Sequence, residues 1–431
     1  MGDHIMMKNK WSRYFRETLG ATAVVFALII PVVVGSAGMA IDVANAYMVK
    51  QRLSHAIDAA ALAAAAMGGT NATAKVTSFF NQNYPEEKIG ATYGLTVTVS
   101  GQNMTVTAQA DYDTTFGRFM GIDTITVTSS ATVTREVLGL EVALVLDVTG
   151  SMSTNNNIGT LRTAATNFLN KLCPNTTCSS LVKIGIVPFA TAVNVGPYGL
   201  GKNPNGTTYD TAFVNNPNNR SFNQSQSSQW WGCVLARSTP QDTQNSTSTW
   251  KWDMYRYTPG NSPNNGCNKS YILPLTGMKS TIQSRITGLQ ASGNTLSNLG
   301  MVWGYRVLSP EAPFREGAAW GEVKTKKVAL LMTDGDNNIG DTYSAYGPWS
   351  NLRLTDHDLD VKLAATCENM KADGITIYTI TFTSGINAAT KNYFRNCASD
   401  ASKYYDAPSQ ANLLDAFDRI SRELSNIHLT N

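Results

Sequence analysis

Leu144-Val145-Leu146-Asp147-Val148-Thr149-Gly150-Ser151-Met152 is an apolar strand that breaks into a short polar loop. The loop carries a carboxylate and two hydroxyls at alternate positions: Asp147, Thr149 and Ser151. Alternate side chains on extended backbone share a face, so the three oxygens can converge on one hard cation. Alone, such a run is an ordinary turn composition. Its place between a strand and a helix makes it a candidate site, because ligands of open α/β sheets gather at the carboxyl ends of strands.

Working outward, the chain from 138 alternates apolar runs with helical periodicity. Strands are expected at 141–146, 182–188, 328–332 and 375–382, and helices at 159–172, 275–289, 295–308, 358–372, 388–396 and 409–424. This rhythm predicts an α/β fold with a mainly parallel, doubly wound sheet over 138–431. Two further segments supply oxygens. Gly293-Asn294-Thr295 precedes a helix, where the Thr295 hydroxyl is either an N-cap or a metal ligand. Leu330-Leu331-Met332-Thr333-Asp334-Gly335 is a second apolar strand ending in a carboxylate. Two carboxylates and three hydroxyls suit Mg²⁺, with Mn²⁺ or Ca²⁺ less selectively. An ion held by so few charges stays electrophilic and can accept a carboxylate from a partner.

This set resembles a von Willebrand factor A domain with a metal-ion-dependent adhesion site, whose pattern is Asp-x-Ser-x-Ser with a distant Thr and a distant Asp. Thr149 replaces the first Ser and keeps the hydroxyl. The resemblance covers about 138–424 and implies Asp147, Thr149, Ser151, Thr295 and Asp334 as metal ligands, with the carboxylates often acting through water.

An insert at 190–270 interrupts the pattern. It is rich in Asn, Ser, Thr, Gln and Gly and carries Trp230, Trp231, Trp250, Trp252, Tyr255 and Tyr257. These aromatics either contact a ligand such as a glycan or form a small core of their own. Six cysteines, Cys173, Cys178, Cys233, Cys267, Cys367 and Cys397, all follow the charge-free segment described next. An even count in an exported region favours disulfides, with buried free thiols as the alternative. The sequence-nearest pairing is Cys173–Cys178, Cys233–Cys267 and Cys367–Cys397.

Toward the N-terminus, 1–18 is a basic segment with Lys8, Lys10, Arg13 and Arg16, and 19–41 carries no charge. That length spans a hydrocarbon core of about 30 Å as a helix. The basic flank predicts a cytoplasmic N-terminus, with the bulk periplasmic or surface-exposed. A cleaved signal peptide ending near Ser36-Ala37-Gly38 is the alternative. Residues 42–69 read as a continuing alanine-rich stalk helix stopped by Gly68-Gly69. Residues 70–137 read as a small pilin-like α+β module: a helix at 76–84, a hairpin of 95–99 and 104–110, a helical turn at 116–120 and a strand from 125 to 134.

Gly20-Ala21-Thr22-Ala23-Val24-Val25, Gly38-Met39-Ala40-Ile41-Asp42-Val43 and Asp58-Ala59-Ala60-Ala61-Leu62-Ala63 look like the TadE/TadG-like N-terminus of tight-adherence (Tad/Flp) pilus-assembly systems. Cys397-Ala398-Ser399-Asp400 and Tyr404-Tyr405-Asp406-Ala407 look like the TadG-type ending. Type IV prepilins place a glutamate at the fifth position after the cleavage glycine. Counted from Gly20 that position is Val25, so the resemblance implies permanent anchoring in the inner membrane by a single span. The implied function is pilus assembly or adhesion through a protein partner; a glycan-binding surface adhesin is the alternative. Net charge of +3 with 15% charged residues offers no nucleic-acid surface. Enzymatic motifs are lacking: Gly150-Ser151-Met152-Ser153 is not a nucleophile elbow, and the Asp356-His357-Asp358-Leu359-Asp360 cluster reads as a solvated helix start.

Overall fold

The computed structural model describes residues 4–67, 72–84, 90–100, 103–134, 139–247, 249–255, 264–322, 324–340, 343–348 and 354–430. The helix stop read at Gly68-Gly69, the hairpin turn at Gly101-Gln102 and Tyr257 lie outside them. Two compact units are present, Met1–Val137 and Leu138–His428.

The first unit begins with one helix, α1 (His4–Met67). Within it the stretch Thr22–Ala63 is long and apolar enough to cross a membrane. The alanine-rich part is not a free stalk. Ala46, Val49, Leu53, Ala56, Ile57, Ala60 and Ala61 recur at helical spacing and are buried. They pack with Val76 and Phe80 of α2 (Ala72–Asn83), with Tyr84 just after it, and with Met104, Val106, Ala108, Ala110 and Tyr112. The latter are alternate residues of β2 (Asn103–Asp113), the middle strand between β1 (Ala91–Ser100) and β3 (Thr124–Thr134), with both pairings antiparallel. Small side chains let the sheet approach the helix closely, which is why this alanine run is a core face and not an exposed spacer.

The second unit is built on a six-stranded sheet of β4 (Gly139–Asp147), β5 (Val182–Phe189), β6 (Leu273–Thr276), β7 (Thr325–Thr333), β8 (Thr376–Phe382) and β9 (Tyr404–Ala407). Its order is β9-β8-β7-β4-β5-β6, parallel except for the β5–β6 edge pair. The expected helix at 275–289 is therefore corrected: Leu273–Thr276 is the edge strand, and α4 is only Lys279–Thr287. The short apolar run Ile272–Leu275 pairs with β5 because Ile184 and Ile186 offer it an edge, information that helical periodicity does not contain.

Every residue of β4 is buried, as expected of a strand covered on both faces. Leu140, Val142, Leu144 and Leu146 point to one face, with α3 (Asn157–Leu172), α4 and α8 (Gln410–Thr430). Ala143 and Val145 point to the other, with α5 (Ser297–Leu308), α6 (Asp356–Ala372) and α7 (Ala388–Cys397).

Helix α5 is buried along its whole length, because the insert covers the face turned away from the sheet. Its glycines set the spacing. A Cβ on Gly304 would lie 2.5 Å from Val145 Cγ2, and one on Gly300 would lie 2.4 Å from Phe189 Cδ1. Gly304→Ala therefore sets a helix-propensity gain of about 1 kcal/mol against overpacking of about 1–3 kcal/mol. We expect net destabilisation in urea titrations; a stabilised variant would show that helix and sheet have slack between them.

Candidate metal centre at the sheet switch point

The sheet order reverses between β4 and β7, whose carboxyl ends lie side by side at Leu146 and Met332. Connections leave in opposite directions there and open a crevice. Asp147 ends β4, and Asp334 follows β7 directly.

Asp147 is fully buried and held from several sides. The Thr149 N–H donates to its Oδ1 at 2.8 Å, and Thr333 Oγ1 donates to its Oδ2 at 2.7 Å. Thr149 Oγ1 and Ser151 Oγ are 2.9 Å apart. Ser151 Oγ donates to Asp334 Oδ1 at 2.5 Å, with Thr149 Oγ1 3.4 Å from the same oxygen. Four of the expected residues thus share one cluster. Thr295, 7% exposed, stands at its edge: a Cβ on Gly335 would lie 3.7 Å from Thr295 Oγ1. Thr295 does not cap α5. Asn337 does so, its Oδ1 accepting from Ser297 N at 2.9 Å and Ser297 Oγ at 2.7 Å. The Thr295 hydroxyl is thereby released from the capping role that its sequence position allowed.

Neighbouring loops lock the cluster. Gly150 N donates to Gly293 O at 2.8 Å and Ser292 N donates to Val148 O at 2.8 Å, tying the loop after β4 to the loop before α5. Asn268, 2% exposed, adds a clamp that sequence reading missed. Its Nδ2 lies 3.1 Å from Val148 O, 2.8 Å from Gln290 O and 2.9 Å from Ser292 Oγ. It follows Cys267, which is bonded to Cys233. Only its position beside a disulfide cysteine could have signalled it. Asn268→Ala should cost about 1–3 kcal/mol for stranded buried acceptors. Chemical unfolding checks this; a change below a few tenths would deny the clamp.

Electrostatics disfavour this arrangement as it stands. Burial, and then the charge of Asp334, push the Asp147 carboxyl up to about 7, against the hydrogen bonds from Thr149 and Thr333. Burial also raises Asp334, opposed by Ser151 and Thr149. Two carboxylates in a dry site repel, and a cation between them reverses that cost. Among the described residues no three His, Cys, Asp or Glu side chains gather as a metal cluster. The donors here are two carboxylates and three hydroxyls, an all-oxygen set that fits a small hard cation better than a soft one.

Other expected residues sit elsewhere. The disulfides are Cys173–Cys178, Cys233–Cys267 and Cys367–Cys397, with no free cysteine. Trp230 and Trp252 are corrected as ligand-contacting aromatics: both are fully buried, Trp252 with its ring 5.1 Å from that of Trp303 on α5. The apolar outer face of α5 needs cover, and these rings supply it. Trp231 and Trp250 are half-buried, with Lys269 Nζ 4.7 Å and the Arg237 guanidinium 4.9 Å from their ring centres. The acidic cluster at 356–360 starts α6. Thr355 and Asp358 form a reciprocal cap, Asp356 accepts from Ile339 N, and Asp360 accepts from Asn337.

Residues 20–67 match the family described as "Putative Flp pilus-assembly TadE/G-like". No curated protein matches the chain. Among solved structures the chain is similar to the pilus adhesin SpaC from Lactobacillus rhamnosus GG, at 13% identity and TM-score 0.40, covering 78% of this chain and 34% of that one. The vWF domain of the type V pili tip protein Mfa5 from Porphyromonas gingivalis aligns at 13% identity and TM-score 0.38, over 67% of this chain and 95% of that one. Proximal thread matrix protein 1 from the mussel byssus aligns at 14% identity and TM-score 0.35, over 67% and 47%. The chain thus spans about a third of the SpaC chain and about half of the byssus protein.

Proposed function

We propose that this chain is a membrane-anchored, non-enzymatic component of a bacterial Tad/Flp-type pilus assembly or adhesion system. The second unit is a doubly wound von Willebrand factor A-type domain that binds a protein partner through Mg²⁺. The observation that carries the reading is the gathering of Asp147, Thr149, Ser151 and Asp334 at the sheet's switch point, with Thr295 at the rim. The family match at 20–67 supports the pilus context, and the helix Thr22–Ala63, which holds a window apolar enough to cross a membrane, supports a single membrane span. The N-terminal flank stays cytoplasmic and the second unit is periplasmic or surface-exposed.

When bound, the ion offers a partner's carboxylate a strong, directional electrostatic contact. The protein's own part is to hold the oxygens ready. Asp147 is fixed by Thr149 N and Thr333 Oγ1, and Ser151 and Thr149 stay within reach of Asp334. Burial of Asp147, Thr149 and Asp334 limits screening of their oxygens by water, while Ser151 is exposed at the mouth of the site. Of the insert's tryptophans, Trp230 and Trp252 are core, which leaves Trp231 and Trp250 to the glycan-binding alternative.

A deletion strain complemented with the Asp147→Ala variant tests the reading. Surface attachment should fall to the level of the deletion strain. Attachment equal to wild type would contradict partner binding through this site. Fibre counts in the same strains separate assembly from adhesion.

A further inference from the structure

The first unit carries an apolar feature that the metal-site reading does not use. In a module whose sheet is threonine-rich, Phe119 is 88% and Met120 62% exposed, at the tip of the turn between β2 and β3. The turn does not project freely. With Pro31, Val34 and Gly35 of α1, Phe116, Phe119 and Met120 line an apolar cavity of about 630 Å³. These helix residues lie within the charge-free run, about 9–15 Å along the axis from Ile41 toward the N-terminus at the helical rise.

We propose that this turn is a membrane wedge: Phe119 and Met120 enter the hydrocarbon of the leaflet nearer Asp42, beside α1. The proposal rests on the reading of α1 as a membrane span. Three observations carry it. First, the apolar surface is continuous. Val24, Phe26, Leu28, Val32 and Val34 are all more than half exposed on α1, and the wedge extends that belt sideways at the level of Pro31.

Second, the turn's backbone is satisfied internally, as hydrocarbon demands. Thr115 N, Phe116 N and Gly117 N donate to the Asp42 carboxylate at 2.9, 2.8 and 2.7 Å. Ile122 N donates to Gly117 O, Gly121 N to Arg118 O and Thr114 N to Asp123 O. Thr114 Oγ1 donates to Ile122 O.

Third, Asp42 is the first charge after the apolar run and is wholly buried. A carboxylate at that depth needs partners that are not water. The turn supplies them, so charge and wedge explain each other. Arg118, beside Phe119, is exposed and pairs loosely with Asp113 at 3.8 Å. Its long side chain can reach back to lipid phosphates.

The chain has no free cysteine, so single cysteines can be spin-labelled. We would label Phe119→Cys, Met120→Cys, Val32→Cys and Thr98→Cys in the full chain. Each goes into vesicles of phosphatidylcholine and phosphatidylglycerol, and collision with oxygen is compared with a water-soluble nickel chelate. The expected result is oxygen-favoured collision at 119, 120 and 32 and nickel-favoured collision at 98. Nickel-favoured collision at 119 and 120 with oxygen-favoured collision at 32 would overturn the wedge and leave the membrane span standing. Nickel-favoured collision at 32 as well would overturn both. Dipolar broadening at 119 that vanishes on dilution with unlabelled protein would assign the cavity to a second copy and also overturn the wedge.

Discussion

Replacing Glu141 by alanine should destabilise the second unit by about 3–5 kcal/mol, the cost of stranding a buried charge. Glu141 is 3% exposed near the start of β4, a strand that is apolar from Val142 to Leu146. Lys327 Nζ lies 2.7 Å from its Oε2 and also donates to Leu308 O at 2.7 Å. Ala318 N donates to its Oε1 at 2.9 Å, and Lys183 Nζ is 3.6 Å away. Burial lowers the Lys327 pKa and Glu141 holds it up. Without Glu141 the Lys327 ammonium keeps the Leu308 carbonyl and the Trp320 ring, 5.2 Å away. Glu141→Leu with Lys327→Met should recover most of the loss, because an apolar pair of similar volume carries no desolvation cost. Urea unfolding of the three proteins tests this; a Glu141→Ala cost under 1 kcal/mol would contradict it. Glu141 and Asp147 are six residues apart on one strand, about 20 Å. The metal response of Glu141→Ala should therefore match wild type wherever the unit is folded.

The second large effect is expected at the insert. Replacing Cys233 and Cys267 by alanine opens a bridge of sequence separation 34. Chain-entropy arguments put the loss at about 3–4 kcal/mol. Cys173–Cys178, separation 5, closes a far shorter loop and should contribute about 2 kcal/mol. The larger loss should carry a functional signature. Cys267 precedes Asn268, whose amide reaches Val148 O, and Val148 follows Asp147. Opening this bridge should weaken Mg²⁺ binding, whereas opening Cys173–Cys178 should not. Equal metal affinity in the two double variants would show that the insert does not brace the metal loop.

These two predictions mark where the sequence was and was not readable. The apolar strand ends at Asp147 and Asp334 were legible because burial on both faces writes continuous apolar runs, and the polar residue that breaks each run stands out. Thr295 was legible only as a helix-start threonine, since choosing between cap and ligand needed Asn337, 42 positions downstream. Glu141, Asn268 and Thr333 were missed because each acts through partners distant in sequence: Lys327, Val148 and Asp147. The edge strand Leu273–Thr276, whose last two residues fall in the helix expected at 275–289, is hidden for the same reason, its strand character coming from β5. The tryptophans stood out by type, but which rings face outward depends on α5 needing cover.

The most direct test of the metal-centre proposal is thermal unfolding of the full chain in detergent, with and without Mg²⁺, for wild type, Asp147→Asn and Asp334→Asn. Mg²⁺ at about 100 times its dissociation constant should add about 2.7 kcal/mol to the wild-type second unit, a rise of about 5–10 °C that chelation reverses. Both variants should lose that increment. A wild type indifferent to Mg²⁺, or variants that gain as much as wild type, would contradict the account.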